Sequence, residues 1–335
     1  MKSIRIWFTD LNPNLDIKNS ISYKYLQSRY SLTLDPENPD YVVSGVFGTE
    51  HLRYENSVKI LISEENVSPD FNLFDYAITS DYLQIGDRHL RVPYWALRHL
   101  ADNDVKPTSR NAVPSDKDAL ERKFCNFVYS NSSNYCAMPM RNELFDICST
   151  YRHVDAGGTC RNNMGGKKVV DKMEFISKYK FTIACENSIK PGYSTEKIID
   201  PLIANSIPIY LGDPMITHEF NPKAFVNVAD FQNQEELLQR LRILDTDQDL
   251  YLEMLHSPFF TDNTDWLQHH ILNARDFLDS IFQRPFTEAM RRCRYGWTYI
   301  TVERYKGLCK PLDSRIIDSL RLRFPLLARL FRKHG

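Results

Sequence analysis

Short runs of β-branched and aromatic residues alternate with helical stripes over the first hundred residues. Strands are predicted where apolar residues concentrate for about four to eight positions between turn residues. These runs are Ile4–Phe8, Tyr41–Phe47, Val58–Ser63 and Tyr76–Thr79. After the first of them, Ile21, Tyr25 and Leu26 form an apolar stripe that predicts a helix over Ser20–Arg29. Alternation of this kind is typical of an open α/β sheet.

A second α/β pattern follows a polar stretch. Residues 102–118 contain two prolines and few apolar side chains, which predicts an exposed linker or a mobile loop. The elements predicted beyond it are strands at Phe124–Tyr129, Phe181–Cys185 and Ile207–Leu211, and helices at Arg141–Tyr151 and Thr195–Ala204. Two α/β units joined by a linker, with a ligand between them, are a common enzyme plan.

The rest of the chain has a helical pattern and ends in a basic segment. Periodic Leu, Ile and Tyr predict helices over most of 232–282. From residue 315 onward, six Arg or Lys side chains stand against Asp318 in an amphipathic pattern that Pro325 interrupts. The predicted domains are an α/β domain over 1–115, a second over 116–260, helices over 261–312 that can pack back on the first domain, and a basic amphipathic tail over 313–335.

Composition narrows the function classes. In 335 residues, 42% are hydrophobic and 25% charged, as in a globular enzyme of two domains, and the net charge of −1 excludes a globally basic nucleic-acid binder. No run of about 18 apolar residues predicts a spanning helix, and the N-terminus lacks the apolar core of a signal peptide. Seven cysteines without a C-x-x-C pair favour reduced thiols over zinc or a disulfide framework, and thus a cytoplasmic protein.

The densest run of unusual residues spans positions 179–214. A strand delivers Glu186, Asn187 and Ser188 to its carboxyl edge, and a Pro-Gly turn leads into a helix for which Ser194 is the predicted N-cap. A sheet edge beside a helix N-terminus is a common anion site. Lys197 opposes the helix dipole in the first turn, which a nearby phosphate would explain, and Glu196 can accept hydrogen bonds from ribose hydroxyls. Taken alone, the Glu-Lys pair is better explained as a solvated pair at the start of an ordinary helix.

Three motifs in this segment carry a specific resemblance: CENS (185–188), YSTEK (193–197) and IPIYLG (207–212). They resemble the signature of the α1,3/α1,4-fucosyltransferases, glycosyltransferase family 10, with Cys185 where the family usually has Phe. Residues 63–81, 88–95, 124–145 and 154–163 are similar to segments of bacterial members. The resemblance covers roughly residues 40–260. It implies the GT-B type of fold, with two Rossmann-like α/β domains facing a cleft.

The resemblance also implies residue roles. Glu65 takes the position of the family's general base, with adjacent Glu64 as the alternative. The implied GDP-fucose contacts are Arg141 and Lys197 to the diphosphate, Glu196 to the ribose hydroxyls, Tyr193 and Asn187 to the donor pocket, and Arg161 as a further donor-site candidate. The implied reaction is an inverting transfer of L-fucose from GDP-β-L-fucose to a hydroxyl of N-acetylglucosamine in a lactosamine-type or lipopolysaccharide glycan, through an α1,3 or α1,4 linkage.

No metal or other cofactor is expected for this reaction, because two cations can absorb the charge on the leaving diphosphate. Two Asp-x-Asp runs, 245–247 and 247–249, look like the motif of metal-dependent transferases. They lie in a leucine-rich helical stretch rather than at a strand end, which favours a solvated helix junction.

Three alternatives remain open: transfer from a different nucleotide sugar, nucleotide-sugar binding without catalysis, and a membrane-surface module that acts through the basic tail. The expected partners are GDP-fucose, an acceptor oligosaccharide and an anionic membrane surface, and no nucleic acid. The expected location is the cytoplasm, peripheral at the inner face of the membrane, unless the tail packs on the core.

Overall fold

The computed structural model describes residues 1–102, 110–111, 114–130 and 138–309. Its first sheet has six strands in the order β2-β1-β3-β4-β5-β6. The strands are β1 (Ser3–Thr9), β2 (Ser31–Leu34), β3 (Tyr41–Ser44), β4 (Val58–Ile62), β5 (Tyr76–Thr79) and β6 (His89–Arg91). β1 pairs in parallel with β2 and β3, and β3 pairs in parallel with β4.

The second sheet has five strands in the order β11-β10-β9-β7-β8. The strands are β7 (Lys123–Phe127), β8 (Val154–Ala156), β9 (Tyr179–Cys185), β10 (Ile207–Leu211) and β11 (Val226–Asn227), and every pair of neighbours is parallel. All seven residues of β9 are buried, as expected for the central strand of a parallel sheet covered on both faces. Counted from β7, the order is 2-1-3-4-5, so the direction of winding reverses between β7 and β9.

Helices cover the strands and continue to the end of the described chain. They are α1 (Ile21–Arg29), α2 (Tyr94–Leu97), α3 (Asp116–Leu120), α4 (Met138–Tyr151), α5 (Lys172–Ile176), α6 (Glu196–Ile203), α7 (Gln234–Thr246), α8 (Gln248–His256), α9 (Trp266–Gln283), α10 (Phe286–Ala289) and α11 (Gly296–Cys309). The core of the second sheet is formed by aromatic and aliphatic side chains from β7, β9 and β10 packed on α4, α7 and α8, among them Phe127, Phe181, Ile209, Leu241 and Tyr251.

Two compact units share these elements. One contains residues 1–62, 69–77 and the described residues from 281 on, and the other contains residues 63–68 and the described part of 78–280. These boundaries differ from the predicted ones at 115 and 260, and side-chain contacts explain why. The Arg98 guanidinium lies 2.7 Å from an Asp200 carboxylate oxygen inside the second unit. Inside the first, Arg292 pairs with Asp75, and the Lys2 ammonium donates to the carbonyl of Phe282 at 2.6 Å.

The two α/β units with parallel sheets, followed by helices, agree with the predicted architecture. Each predicted strand and helix is present, and β5 and β10 have the predicted bounds. Four strands of two to four residues, β2, β6, β8 and β11, were not predicted, because each is too short to show a periodic pattern.

Two sequence predictions fall partly or wholly outside the described residues: the basic amphipathic tail over 313–335, and the linker at 103–109 and 112–113. Within the ranges that the structure describes, no helix is both long and apolar enough to cross a bilayer.

Candidate functional site

A cavity of about 390 Å³ lies at the carboxyl ends of β7 and β9. These are the strands between which the winding reverses, and ligands of doubly wound sheets bind at this point. The three residues directly after β7 line the cavity, and they are Val128, Tyr129 and Ser130. Asn187, which comes after β9, also lines the cavity. The other lining residues are Arg141, Val169, Lys172, Ile176, Thr182, Ile183, Glu196, Lys197 and Pro201. Four of the seven predicted site residues therefore line one cavity.

Arg141 is the most deeply buried cation of this cavity, at 1% exposure. It lies in the first turn of α4, and its Nε donates to the carbonyl of Cys185 at 3.2 Å. A terminal guanidinium nitrogen donates to Oδ1 of Asn187, and the guanidinium stacks 4.4 Å from the ring centre of Tyr129. Among the described residues no carboxylate pairs with it. A buried guanidinium without a counter-charge is costly, so an anion bound in the cavity would stabilise it.

Lys197 is held beside the cavity by a buried carboxylate. Glu186 is fully buried and accepts hydrogen bonds from the Thr195 amide at 2.8 Å and the Thr195 hydroxyl at 2.7 Å. The Lys197 ammonium lies 3.4 Å from the same carboxylate and 3.1 Å from Glu196. Burial alone would lower the pKa of Lys197, but these two carboxylates raise it. Lys197 therefore keeps its charge at any physiological pH.

The N-cap of α6 is Thr195 and not Ser194, so the predicted cap is wrong by one residue. The Thr195 side chain accepts from the Lys197 amide, whereas the Ser194 hydroxyl is buried with no partner among the described residues. The reason is Glu186, which binds both the amide and the hydroxyl of Thr195 and so fixes this residue at the helix start.

Glu196 lines the cavity in its ionised form. Burial alone would raise the pKa of Glu196, but the ammonium groups of Lys197 and Lys172 lower it to about 2. An ionised carboxylate accepts hydrogen bonds and donates none, which suits contact with a pair of hydroxyls. Lys172 was not predicted from the sequence. It lies on α5 and pairs with Asp200 at 2.9 Å, so only the folded chain brings it to the cavity.

Glu65 lies close to the same motif but outside the cavity lining. Its carboxylate Oε2 lies 3.5 Å from the hydroxyl of Tyr193, which is a long distance for a hydrogen bond. The Tyr193 side chain is buried. Burial and the carboxylates of Glu186, Glu65 and Glu196 raise the pKa of Tyr193, which keeps the phenol protonated. Desolvation and the charge of Glu65 raise the pKa of Glu64. The Glu64 side chain is exposed, so solvent weakens the desolvation effect.

Hydrogen bonds made by two side chains, Asn66 and Lys190, connect the segment that carries Glu65 to the loop that precedes α6. The Asn66 amide donates to the Ser188 hydroxyl. The Lys190 ammonium donates to the Asn66 carbonyl and the Ser68 hydroxyl, both at 3.1 Å, and lies 2.8 Å from Asp81. Lys190 thus connects residues 66–68 to the motif that supplies Tyr193, Glu196 and Lys197. No sequence pattern predicted this role.

Arg161 is directed elsewhere. It has a positive φ of 52° after the Gly-Gly pair, forms a two-pronged ion pair with Asp146 of α4, and lies 4.5 Å from the ring centre of Phe145. It does not line the cavity. Of the seven predicted residues, it is the one that the structure does not bring to Arg141 or Glu65.

The Asp-x-Asp runs form a helix junction, as predicted, but Asp245 is not solvated. It is 8% exposed, and its carboxylate accepts from Lys180 at 3.0 Å, from Tyr151 at 3.1 Å and from Arg152 at 2.5 Å. Asp247 ends α7 and caps α8 by accepting from the Leu250 amide. No group of three or more His, Cys, Asp or Glu side chains within the described ranges could hold a metal ion.

Comparisons with known proteins agree with this geometry. Residues 121–272 match the sequence family described as glycosyltransferase family 10 (fucosyltransferase) C-term, and residues 6–98 match the N-terminal domain of alpha-(1,3)-fucosyltransferase FucT. The Helicobacter pylori alpha-(1,3)-fucosyltransferase FucT is 38% identical over 275 residues, which are 72% of this chain and 56% of that protein. The chain thus spans little more than half the length of this relative.

Solved structures extend the likeness to three dimensions. A crystal structure of an alpha1,3-fucosyltransferase with GDP-fucose superposes with a TM-score of 0.68 at 31% identity, covering 85% of this chain and 92% of that one. Another, with GDP, gives a TM-score of 0.66 at 32% identity and covers 83% and 91%. The resemblance predicted from CENS, YSTEK and IPIYLG is confirmed.

Proposed function

The chain belongs to glycosyltransferase family 10, and on that premise we propose that it transfers L-fucose from GDP-β-L-fucose to a hydroxyl of N-acetylglucosamine. The acceptor is a lactosamine-type or lipopolysaccharide glycan, and the linkage formed is α1,3 or α1,4. The observation that carries the proposal is Arg141, a buried guanidinium without a carboxylate partner among the described residues, in one cavity with Lys197. A buried guanidinium without a counter-charge, with a second cation in the same cavity at the switch point of the sheet, suits a diphosphate.

The donor is held by the cavity residues. Arg141 presents a planar fork of donors to two phosphate oxygens, and Lys197 adds a point charge. Glu196, ionised beside Lys197, accepts hydrogen bonds from the two ribose hydroxyls. Asn187 orients Arg141 through its Oδ1, and the hydroxyl of Tyr193 in the donor motif lies 3.5 Å from Oε2 of Glu65.

The chemical step is a single displacement at the anomeric carbon. Glu65 takes the proton of the acceptor hydroxyl, whose oxygen bonds to C1 of fucose on the face opposite the diphosphate. The bond between C1 and the phosphate oxygen breaks, and its electron pair leaves with GDP. Arg141 and Lys197 stabilise the charge that grows on the departing diphosphate. Attack from the opposite face converts the β-linked donor into an α-linked fucoside.

A donor panel tests this function against its alternatives. GDP release from GDP-fucose is measured with and without N-acetyllactosamine, and other GDP- and UDP-sugars are tested in parallel. We expect GDP-fucose to be consumed faster with the acceptor than without it. Transfer from a different nucleotide sugar alone would select the other-donor alternative. GDP binding without any turnover would select a non-catalytic binding protein.

Activity is expected to survive EDTA. Arg141 and Lys197 supply two positive charges to the diphosphate, and in the Asp-x-Asp runs Asp245 is engaged in an ion pair and Asp247 in a helix cap. The measurement is the initial rate after dialysis against EDTA, compared with the rate after dialysis against buffer. A rate that disappears and returns only with Mn²⁺ or Mg²⁺ contradicts the metal-free scheme.

Lys190→Met is expected to lower kcat by about 10-fold or more while GDP affinity stays unchanged, because small displacements of a reacting group are costly. The change keeps the aliphatic stem and removes the contacts to Asn66, Ser68 and Asp81. Lys178→Met, at an exposed lysine paired with Glu174, is the control. Unchanged kcat, or a parallel loss of GDP affinity, would show that Lys190 does not position Glu65.

We also infer that the tail over 313–335 binds an anionic membrane surface. Each basic residue near such a surface adds roughly 1 kcal/mol at low salt. The full chain is expected to sediment with phosphatidylserine vesicles and a chain ending at Pro311 to remain in solution. Equal sedimentation of both proteins contradicts the anchor, and loss of cooperative unfolding in the shorter chain assigns the tail to the core instead.

A further inference from the structure

A second cavity, of about 260 Å³, lies in the first unit, and none of its lining residues belongs to the donor site. Its volume is several times the roughly 30 Å³ that one water occupies, so it can hold a small organic molecule. Apolar and aromatic side chains of α11 and its approach, including Val302, Tyr295 and Tyr299, form part of the lining. The lining also contains four cations, Lys59, Arg292, Arg294 and Lys306.

Lys59 is the unusual member of this set. It lies on β4 at 3% exposure, and its ammonium donates to the carbonyl of His51 at 3.1 Å. This is one acceptor for three N–H groups. Among the described residues no carboxylate forms an ion pair with it. Burial lowers the pKa of Lys59 to about 7, with a further lowering by the guanidinium of Arg292.

The nearby carboxylates are engaged by other donors. Asp75 accepts hydrogen bonds from the amides of Lys59, Arg291 and Arg292 and pairs with the Arg292 guanidinium. Glu55 and Glu303 both pair with Lys306. Lys59 and the exposed Arg294, which donates to Asn56 at 3.3 Å, are therefore the two cavity cations without a carboxylate among the described residues.

We propose that this cavity binds a small phosphorylated molecule, whose phosphate group contacts Lys59 and Arg294 and whose organic part packs on Tyr299 and Val302. The phosphate oxygens would accept the N–H groups that Lys59 leaves unused, and the negative charge would offset a buried cation. The chain's own segment from residue 315 on is a less suitable occupant of this cavity than an anion. It carries six cations, whose charge would add to that of the cavity cations.

The charge of Lys59 makes binding depend on pH. The charged groups that face it are Arg292, Lys306, Asp75 and Glu55. The hydrogen bond with Lys306 lowers the pKa of Glu55, against the opposite effect of burial. Burial alone would lower the pKa of Lys306, but Glu303 and Glu55 raise the pKa of this lysine. Lys59 is therefore the group among these that titrates near neutrality. Sulfate, which keeps its charge from pH 6 to 8.5, should bind about 30-fold more weakly at pH 8.5 than at pH 6.

Calorimetric titration of the full chain with sulfate tests the site. Lys59→Met keeps an unbranched side chain and removes the charge, so it should abolish the pH-dependent binding event, and Arg294→Gln should weaken it. Lys223→Met, at an exposed lysine of the other unit, should leave it unchanged. Sulfate bound at Arg141 and Lys197 is common to all these proteins and cancels in the comparison.

The sign of the stability change separates a ligand site from a structural lysine. The pKa of Lys59 is lower in the folded chain than in the unfolded chain, so this lysine destabilises the fold at any pH where the unfolded chain keeps it protonated. Lys59→Met removes this cost and should therefore raise the unfolding temperature measured without sulfate. Phenyl phosphate should bind the wild type more tightly than sulfate. The proposal is overturned if sulfate still binds Lys59→Met, if sulfate does not bind the wild type, or if Lys59→Met lowers the unfolding temperature. Equal affinities of the wild type for sulfate and phenyl phosphate would overturn the part of the proposal that concerns the organic group.

Discussion

Glu65→Gln is expected to lower the turnover of GDP-fucose with acceptor by at least about 10²-fold, the usual contribution of a general base. The amide has the shape of the carboxylate but cannot take a proton from the acceptor hydroxyl. GDP should bind with unchanged affinity, because Glu65 does not line the cavity that holds Arg141 and Lys197. The two measurements are kcat at saturating acceptor and the Kd for GDP.

Glu64→Gln is the matched control, since it makes the same chemical change one residue away on an exposed side chain. It should retain most of the turnover. The reverse pattern, with Glu65→Gln active and Glu64→Gln inactive, would transfer the role of base to Glu64, whose pKa is raised by desolvation and by its neighbour. Full activity in both variants would remove carboxylate base catalysis from the mechanism.

Lys197→Met is expected to weaken GDP binding by about 2 kcal/mol or more, roughly 30-fold, because it removes one partner of a desolvated charge contact. The ammonium lies between Glu186 and Glu196, whose charges keep it protonated. The loss should therefore be similar from pH 7 to pH 9. Isothermal titration with GDP measures it.

Two further variants separate donor binding from folding. Lys197→Met leaves the fully buried Glu186 without its ion pair, so adding Glu186→Gln should recover thermal stability while GDP affinity remains low. Arg161→Met should leave GDP affinity unchanged, because Arg161 pairs with Asp146 outside the cavity. Recovery of GDP affinity in the double variant would assign Lys197 a structural role only.

The parts of the fold that the sequence predicts are those with a strong local pattern. β10 is a continuous apolar run and β9 is mostly apolar, and the turn residues and helix that follow β9 lie within one short segment. Asn187 was predicted at the carboxyl edge of its strand, and it lies in the cavity at the carboxyl ends of β7 and β9. The motif residues Glu196 and Lys197 could also be predicted, because they lie in the same short segment.

The parts that escape prediction depend on contacts between distant segments. Lys172 reaches the cavity from α5, and Lys190 meets Asn66 across 124 positions of sequence. Ser194 and Thr195 are equally good caps by composition, and only the buried Glu186 distinguishes them. Asp245 was expected at a solvated helix junction because it lies in a leucine-rich helical stretch, but it forms a buried ion pair with Lys180 of β9.

The most direct test of the central claim is the NMR spectrum of the product formed from GDP-β-L-fucose and N-acetyllactosamine. A fucoside with the small anomeric coupling of an α linkage, formed by the wild type and lost in Glu65→Gln, is the predicted result. A β-linked fucoside would contradict the single displacement assigned to Glu65. Absence of any fucoside, with the acceptor unchanged and GDP bound, would contradict fucosyl transfer itself.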